Sequence, residues 1–127
     1  MRYQLARDAG APAAARLALS ELDAELGWRG GDARLVASEL VTNSFRHSDA
    51  RPELPIEFSI ELADDFLRLE VCDEGTGHRR GAVKLPEEPG VSGGLGLMIV
   101  DQLADAWGHT GDGVTCAWAL FDRSRLN

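Results

Sequence analysis

The sequence is poor in lysine, in net positive charge and in long apolar runs. Lys84 is the sole lysine, and 21 acidic residues outweigh 13 basic ones to give a formal net charge of −8. Nucleic-acid backbones and anionic lipid surfaces are bound by basic faces. The charge therefore argues against direct binding of nucleic acid or of a membrane. Apolar runs approaching the roughly 18 residues of a membrane span are also missing.

Cysteine is scarce too, since the chain contains only Cys72 and Cys116. The two residues form neither a CxxC metal pair nor the dense framework of a small disulfide-rich domain. We expect both to be buried free thiols in a reducing cytoplasm. The first residues, MRYQLARDAG, lack the apolar stretch of a signal peptide, which also favours a cytoplasmic protein.

The sequence does contain two consecutive segments with helical periodicity. Apolar residues recur at helical spacing over residues 11–26 and again over residues 33–48. Gly27 is expected to end the first helix, and Gly30–Gly31 to form a turn. Asp32 is a suitable N-cap for the second helix.

The remaining segments predict a sheet that is interrupted by one loop and one further helix. Arg2–Leu5 alternates as a short edge strand, and residues 56–73 alternate on both sides of a short polar break, as in an antiparallel hairpin. An irregular stretch at residues 74–92 precedes a third predicted helix over residues 94–108. A last strand is expected over residues 114–121.

This order of elements predicts an α+β fold. Helices alternate with a mixed, mostly antiparallel sheet, which indicates a two-layer α/β sandwich with the helices on one face. The length of 127 residues is that of one domain, residues 1–127, with no repeats or linkers.

A polar stripe runs along one side of the second predicted helix. Glu39, Asn43 and His47 are spaced by four residues and lie beside the apolar face of the helix. A carboxylate can accept a proton or orient water, and an amide oxygen can bind Mg²⁺ without adding charge. The alternative is a solvated polar flank, and His47 is more typical of a structural residue at a helix end.

A second cluster, Asp-Glu-Gly-Thr-Gly, follows the second strand of the hairpin. Asp73 would be partly buried at the end of that strand, where its carboxylate needs a hydrogen-bond donor. The exocyclic amine of a purine is one such donor, and Gly75 and Gly77 allow a flat base to approach the backbone closely. The alternative is an ordinary loop turn.

The third cluster is the glycine-rich segment at the start of the third predicted helix. Gly93, Gly94 and Gly96 lead directly into an amphipathic segment, although glycine costs about 1 kcal/mol per residue in a helix. Exposed N–H groups and the positive end of the helix dipole would suit a phosphate. The alternative is a flexible hinge. The segment fits neither the P-loop motif nor the dinucleotide-binding fingerprint.

Taken in order, the three clusters resemble the N, G1 and G2 boxes of the GHKL (histidine kinase-like) ATPase superfamily. The matching segments read SELVTNSFRHS, VCDEGTG and GGLGLMIVDQLADAWG. The length of the chain and the residues of these segments are most similar to those of the stand-alone anti-sigma regulatory factors, which are serine/threonine protein kinases. The resemblance covers Tyr3 to Leu120 and implies the Bergerat ATP-binding fold.

The resemblance also implies a role for each cluster in binding ATP and Mg²⁺. Glu39 would be the general base that activates the attacking hydroxyl, and Asn43 would hold Mg²⁺. Asp73 would accept a hydrogen bond from the adenine amino group, with Gly75 and Gly77 shaping the base pocket.

The other end of the nucleotide would be held by the G2 segment. Its members are Gly93, Gly94, Leu95, Gly96 and Leu97, and residues 78–92 would form the ATP lid. Thr115 in the last strand resembles a position that helps to bind adenine. Leu95 stands where many relatives have arginine, and the lid contains Glu87 and Glu88, so weaker phosphate binding is expected.

The function implied is that of an anti-sigma factor with kinase activity. It would bind a sigma factor and phosphorylate a serine or threonine of an anti-anti-sigma (STAS-type) partner, and relatives often form homodimers through the sheet. The alternative is a catalytically silent, ATP-dependent binding module. A histidine kinase fragment would need a phosphoaccepting helix pair, and a gyrase-like ATPase would need a transducer domain.

Overall fold

A computed structural model of the chain describes residues 1–47, 53–73, 94–111 and 115–124. The described strands are β1 (Arg2–Leu5), β2 (Ile56–Leu62), β3 (Phe66–Asp73), β4 (Ala106–Gly111) and β5 (Thr115–Asp122). The described helices are α1 (Ala11–Ser20), α2 (Asp23–Leu26), α3 (Gly30–His47) and α4 (Gly94–Leu103), with a 3₁₀ turn at Gly27–Arg29.

The five strands form one open sheet in the order β1-β2-β3-β5-β4. Each neighbouring pair is antiparallel. The predicted hairpin and the predicted edge strand β1 are confirmed. The α+β prediction is confirmed as well, although the described strands include none of the parallel pairs that a mixed sheet would have.

One face of the sheet is covered by helices because apolar residues alternate along its strands. Phe58, Ile60, Leu69 and Phe121 are at most 2% exposed and belong to the core. Sequence neighbours on the other face, such as Glu70 and Leu120, are only half-buried. The chain therefore forms the expected two layers, with helices on one side.

The central helix of the second layer is α3. Its buried side chains recur at helical spacing and belong to the same core cluster as the strand residues: Ala33, Val36, Ala37, Leu40 and Val41. Phe45, at the edge of this apolar arc, is 37% exposed. Within the described ranges, no helix is both long and apolar enough to cross a membrane.

The first predicted helix begins at Ala11 and ends at Leu26 before Gly27, as expected, but it is divided into two helices. A 3₁₀-type hydrogen bond from the Leu22 N–H to the Leu19 carbonyl ends α1, and a separate short helix follows. Gly27 then adopts a φ of 58°, a conformation that glycine accepts readily. Gly30 and Gly31 begin α3 instead of forming a turn, so Asp32 lies in its first turn and not at its N-cap.

The end of the third predicted helix is also wrong. Helix α4 stops at Leu103, and the residues from Ala106 to Gly108 belong to strand β4. Gly108 pairs with Trp118 of β5, and a Cβ placed on Gly108 would lie 3.1 Å from the Trp118 ring. Strand pairing therefore decides the structure of a segment whose sequence continued the helical pattern.

The prediction of free thiols is wrong, because Cys72 and Cys116 form a disulfide. The two residues lie directly opposite each other in the β3–β5 ladder. Opposed side chains on neighbouring strands come close enough to bond covalently. Their separation of 44 residues hides this contact from any reading of local spacing.

Candidate functional site

The first part of the site is the contact between α3 and the start of α4. Gly96, the third residue of α4, packs against Glu39 of α3. A Cβ built on Gly96 would lie 2.6 Å from Glu39 Oε1, far inside normal van der Waals contact. Glycine at this position therefore makes room for the carboxylate.

The first turn of α4 is anchored from the core side. Leu97 is only 9% exposed and Val100, one turn later, is fully buried. Gly94, Leu95 and Gly96 precede or flank this anchor in the same turn. The first N–H groups of any helix have no partner within the helix, so this end offers donors for a negatively charged group.

The second part of the site is the buried carboxylate of Asp73, the last residue of β3. Arg7 binds it with both terminal nitrogens, at 2.9 Å from Nη2 to Oδ1 and 3.3 Å from Nη1 to Oδ2. The Ser44 hydroxyl of α3 donates a third bond to Oδ2 at 3.2 Å. The Arg7 and Asp73 side chains are only 5% and 7% exposed, so each compensates the buried charge of the other.

The remaining predicted residues divide into two groups. Asn43 is half-buried on α3, one turn after Glu39 and next to Ser44. Thr115 is the backbone partner of Asp73 across the β3–β5 ladder. The predicted residues Gly75, Gly77, Gly93 and the lid 78–92 lie outside the described residues.

Helix α3 thus connects the two parts of the site. Glu39 reaches α4, and Ser44, five residues later, reaches the end of β3. Asn43 lies between these contacts and offers an amide oxygen, a ligand type that suits Mg²⁺. One other group of potential metal ligands lies close together among the described residues, namely Glu70, Cys72 and Cys116. The disulfide removes both thiolates as ligands.

Sequence reasoning missed Arg7 and the polar contact of Ser44. Ser44 lies one turn after the buried Leu40 of α3, and this side of the helix meets Asp73. The alternation of β1 could have indicated the position of Arg7. Tyr3 pairs with the buried Phe58, and Leu5 is itself buried, so both face the helices. Continuing that alternation by two residues places Arg7 on the helix-covered side of the sheet.

Comparison with known proteins gives a family match over most of the chain. The family model for the histidine kinase-like ATPase domain matches residues 2–119. A search of curated proteins found no match.

Two solved structures have a similar fold. The RsbU and RsbW domains of Rv1364c from Mycobacterium tuberculosis align over 95% of this chain with a TM-score of 0.68 and 23% identity. This chain spans only 31% of the length of that one. The SiaB-SiaC complex from Pseudomonas aeruginosa aligns with a TM-score of 0.68 and 12% identity, over 95% of this chain and 88% of the other.

These identities support a shared fold and nothing finer. The family match carries more weight, because it spans all five strands but the end of β5 and includes every predicted site residue. The chain belongs to the histidine kinase-like ATPase domain family.

Proposed function

We propose that this protein binds ATP with Mg²⁺ beside α3 and transfers the terminal phosphoryl group to a serine or threonine hydroxyl of a partner protein. The observation that carries the proposal is the contact of Glu39 with Gly96. It brings a carboxylate against the start of a glycine-rich helix, where phosphate groups bind in many proteins. Membership of an ATPase domain family supports ATP as the nucleotide.

Phosphoryl transfer depends on positioning and on charge neutralisation more than on covalent chemistry by the protein. Glu39 would accept the proton of the attacking hydroxyl. Asn43 would hold Mg²⁺, which would neutralise charge on the phosphates. The N–H groups of α4 near Gly94 and Gly96, with Gly93, Leu95 and Leu97, would hold the phosphates in place.

The opposite end of the nucleotide would lie at the end of β3. Asp73 would accept a hydrogen bond from the adenine amino group, because a buried carboxylate gains from a directed donor. Thr115 is opposite Asp73 in the neighbouring strand and would contact the same base. Gly75 and Gly77 would line the base pocket, and residues 78–92 would cover the bound nucleotide.

The proposed partners are proteins and not nucleic acid or membrane. One similar structure is a complex of SiaB with SiaC, and the other contains RsbU and RsbW domains. We propose a STAS-type anti-anti-sigma protein as the phosphoacceptor and a sigma factor as the second partner, with cytoplasmic location. The uncovered face of the sheet would be the surface for a homodimer.

The experiment combines two variants with two measurements. Glu39→Ala is expected to abolish transfer from labelled ATP to a STAS-type partner while calorimetric ATP affinity stays within about threefold of wild type. Asp73→Asn is expected to weaken ATP binding by tenfold or more, because it removes a charge-assisted hydrogen bond. A wild-type protein that binds ATP but phosphorylates no partner would contradict the kinase proposal.

The second candidate is a binding module that senses ATP without transferring phosphate. The same contact favours it, because a carboxylate close to a helix N-terminus is stabilised there by the helix dipole. Glu39 would then be a structural cap for α4. In that case Glu39→Ala would lower the free energy of unfolding and no transfer would be measured for the wild type.

A further inference from the structure

Arg7 is the most deeply buried basic side chain among the described ion pairs. It binds Asp73, the carboxylate to which the adenine base is assigned. Its side chain is 5% exposed, whereas the described partners Arg29, Arg34 and Arg68 are 12%, 31% and 33% exposed. No part of the three sequence clusters includes it. The residue follows the edge strand β1 and reaches across to the end of β3.

Three hydrogen bonds fix the position of the guanidinium. Nη1 and Nη2 donate to the two oxygens of Asp73, and Nε donates to the carbonyl oxygen of Leu54 at 2.9 Å. A planar group held at three points fixes the plane and direction of the carboxylate that it binds. Lysine has the same charge, but all of its N–H donors lie on one nitrogen, so it cannot reproduce this geometry.

We propose that Arg7 is a positioning residue of the nucleotide site, which holds the Asp73 carboxylate in the orientation that accepts the adenine amino group. This inference rests on the proposed assignment of ATP to the site. Arg7 would stay bound to Asp73 in the complex and act on the base through it. The segment that follows the edge strand β1 would thereby contribute to base selectivity, although it contains no part of the three clusters.

The test compares ATP with purine riboside triphosphate, which lacks only the 6-amino group. Calorimetry on the full chain would measure both affinities for the wild type and for Arg7→Lys. The wild type is expected to prefer ATP by about tenfold or more, the value of one charge-assisted hydrogen bond. Arg7→Lys is expected to lose most of that preference through weaker ATP binding, with affinity for the analogue within about twofold of wild type.

Arg29→Lys is a matched control, because Arg29 also donates to one carboxylate and one backbone carbonyl. Its Nη1 lies 3.0 Å from Asp105 and its Nη2 lies 2.8 Å from the Leu103 oxygen. This variant is expected to lower thermal stability while keeping the preference for ATP. Equal weakening of both nucleotides by Arg7→Lys would reduce Arg7 to a structural ion pair and overturn the proposal.

Nuclear magnetic resonance on the wild-type protein provides a second test, which does not depend on the folding of a variant. The side-chain Nε–H resonance of Arg7 is expected to shift when ATP is added, and to shift less with purine riboside triphosphate. Identical shifts with the two nucleotides would also overturn the proposal. A wild-type protein that binds neither nucleotide would instead refute the proposed function, and the assignment of Arg7 with it.

Discussion

Replacing Gly96 with alanine tests the contact between α3 and α4 by adding one methyl group. The new Cβ would lie 2.6 Å from Glu39 Oε1, whereas carbon and oxygen atoms normally remain above about 3 Å. The Glu39 Cδ and Cβ atoms lie 3.7 and 3.9 Å away, at ordinary contact distance. Only the end of a flexible side chain therefore has to move, and it has to move by roughly 1 Å.

The added methyl group has two opposite effects on the stability of the protein. Alanine is about 1 kcal/mol more favourable than glycine within a helix, which offsets the cost of a new Glu39 rotamer. We expect the free energy of unfolding to change by less than about 1 kcal/mol. A displacement of about 1 Å in a reacting group can lower a rate about 100-fold, so we expect transfer to fall by about that factor.

Gly31→Ala is the matched control for this variant. Gly31 also lies in a helix, but a Cβ at that position would meet no atom within 4 Å. Urea unfolding and transfer of labelled phosphate would be measured for both variants and for the wild type. Unchanged transfer in Gly96→Ala would show that the placement of the Glu39 carboxylate is irrelevant to the reaction, and the reasoning would be refuted.

Two further predictions concern the disulfide and a half-buried histidine. Reducing the bond between Cys72 and Cys116, which closes a separation of 44 residues, should lower the free energy of unfolding by up to about 4 kcal/mol; urea midpoints that ignore reductant would contradict this. Burial lowers the pKa of His109 below 6.5, so the unfolded chain binds the proton first and stability should fall as the pH drops below 6.5. Urea titrations at several pH values should show a weaker fall for His109→Asn, and equal slopes would refute the assignment.

The alternating pattern of the strands and the face of α3 could be predicted because both are local properties of the sequence. Phe58 and Ile60 recur with a period of two, and Val36 and Leu40 recur with a helical period. Both patterns lead to the same buried core. The polar stripe of Glu39 and Asn43 follows from the same helical wheel, since it borders the buried face.

What the sequence could not reveal depends on strand register. The disulfide depends on the pairing of β3 with β5 across 44 residues, and the strand β4 depends on its own pairing with β5. Arg7 meets Asp73 across 66 residues. Periodicity states which side of a strand a residue faces, but it does not state which residue lies beside it.

The geometry of α3 explains how one helix reaches both described parts of the site. Glu39 and Ser44 are five residues apart, which corresponds to about 7.5 Å along the helix axis. At one end of this distance the helix meets Gly96, and at the other it meets Asp73. The buried side chains between them fix α3 in the core, so the position of both contacts is set by core packing. A core substitution that shifted α3 would therefore disturb both ends of the proposed nucleotide site at once, whereas a substitution at Arg7 would disturb only the end at Asp73.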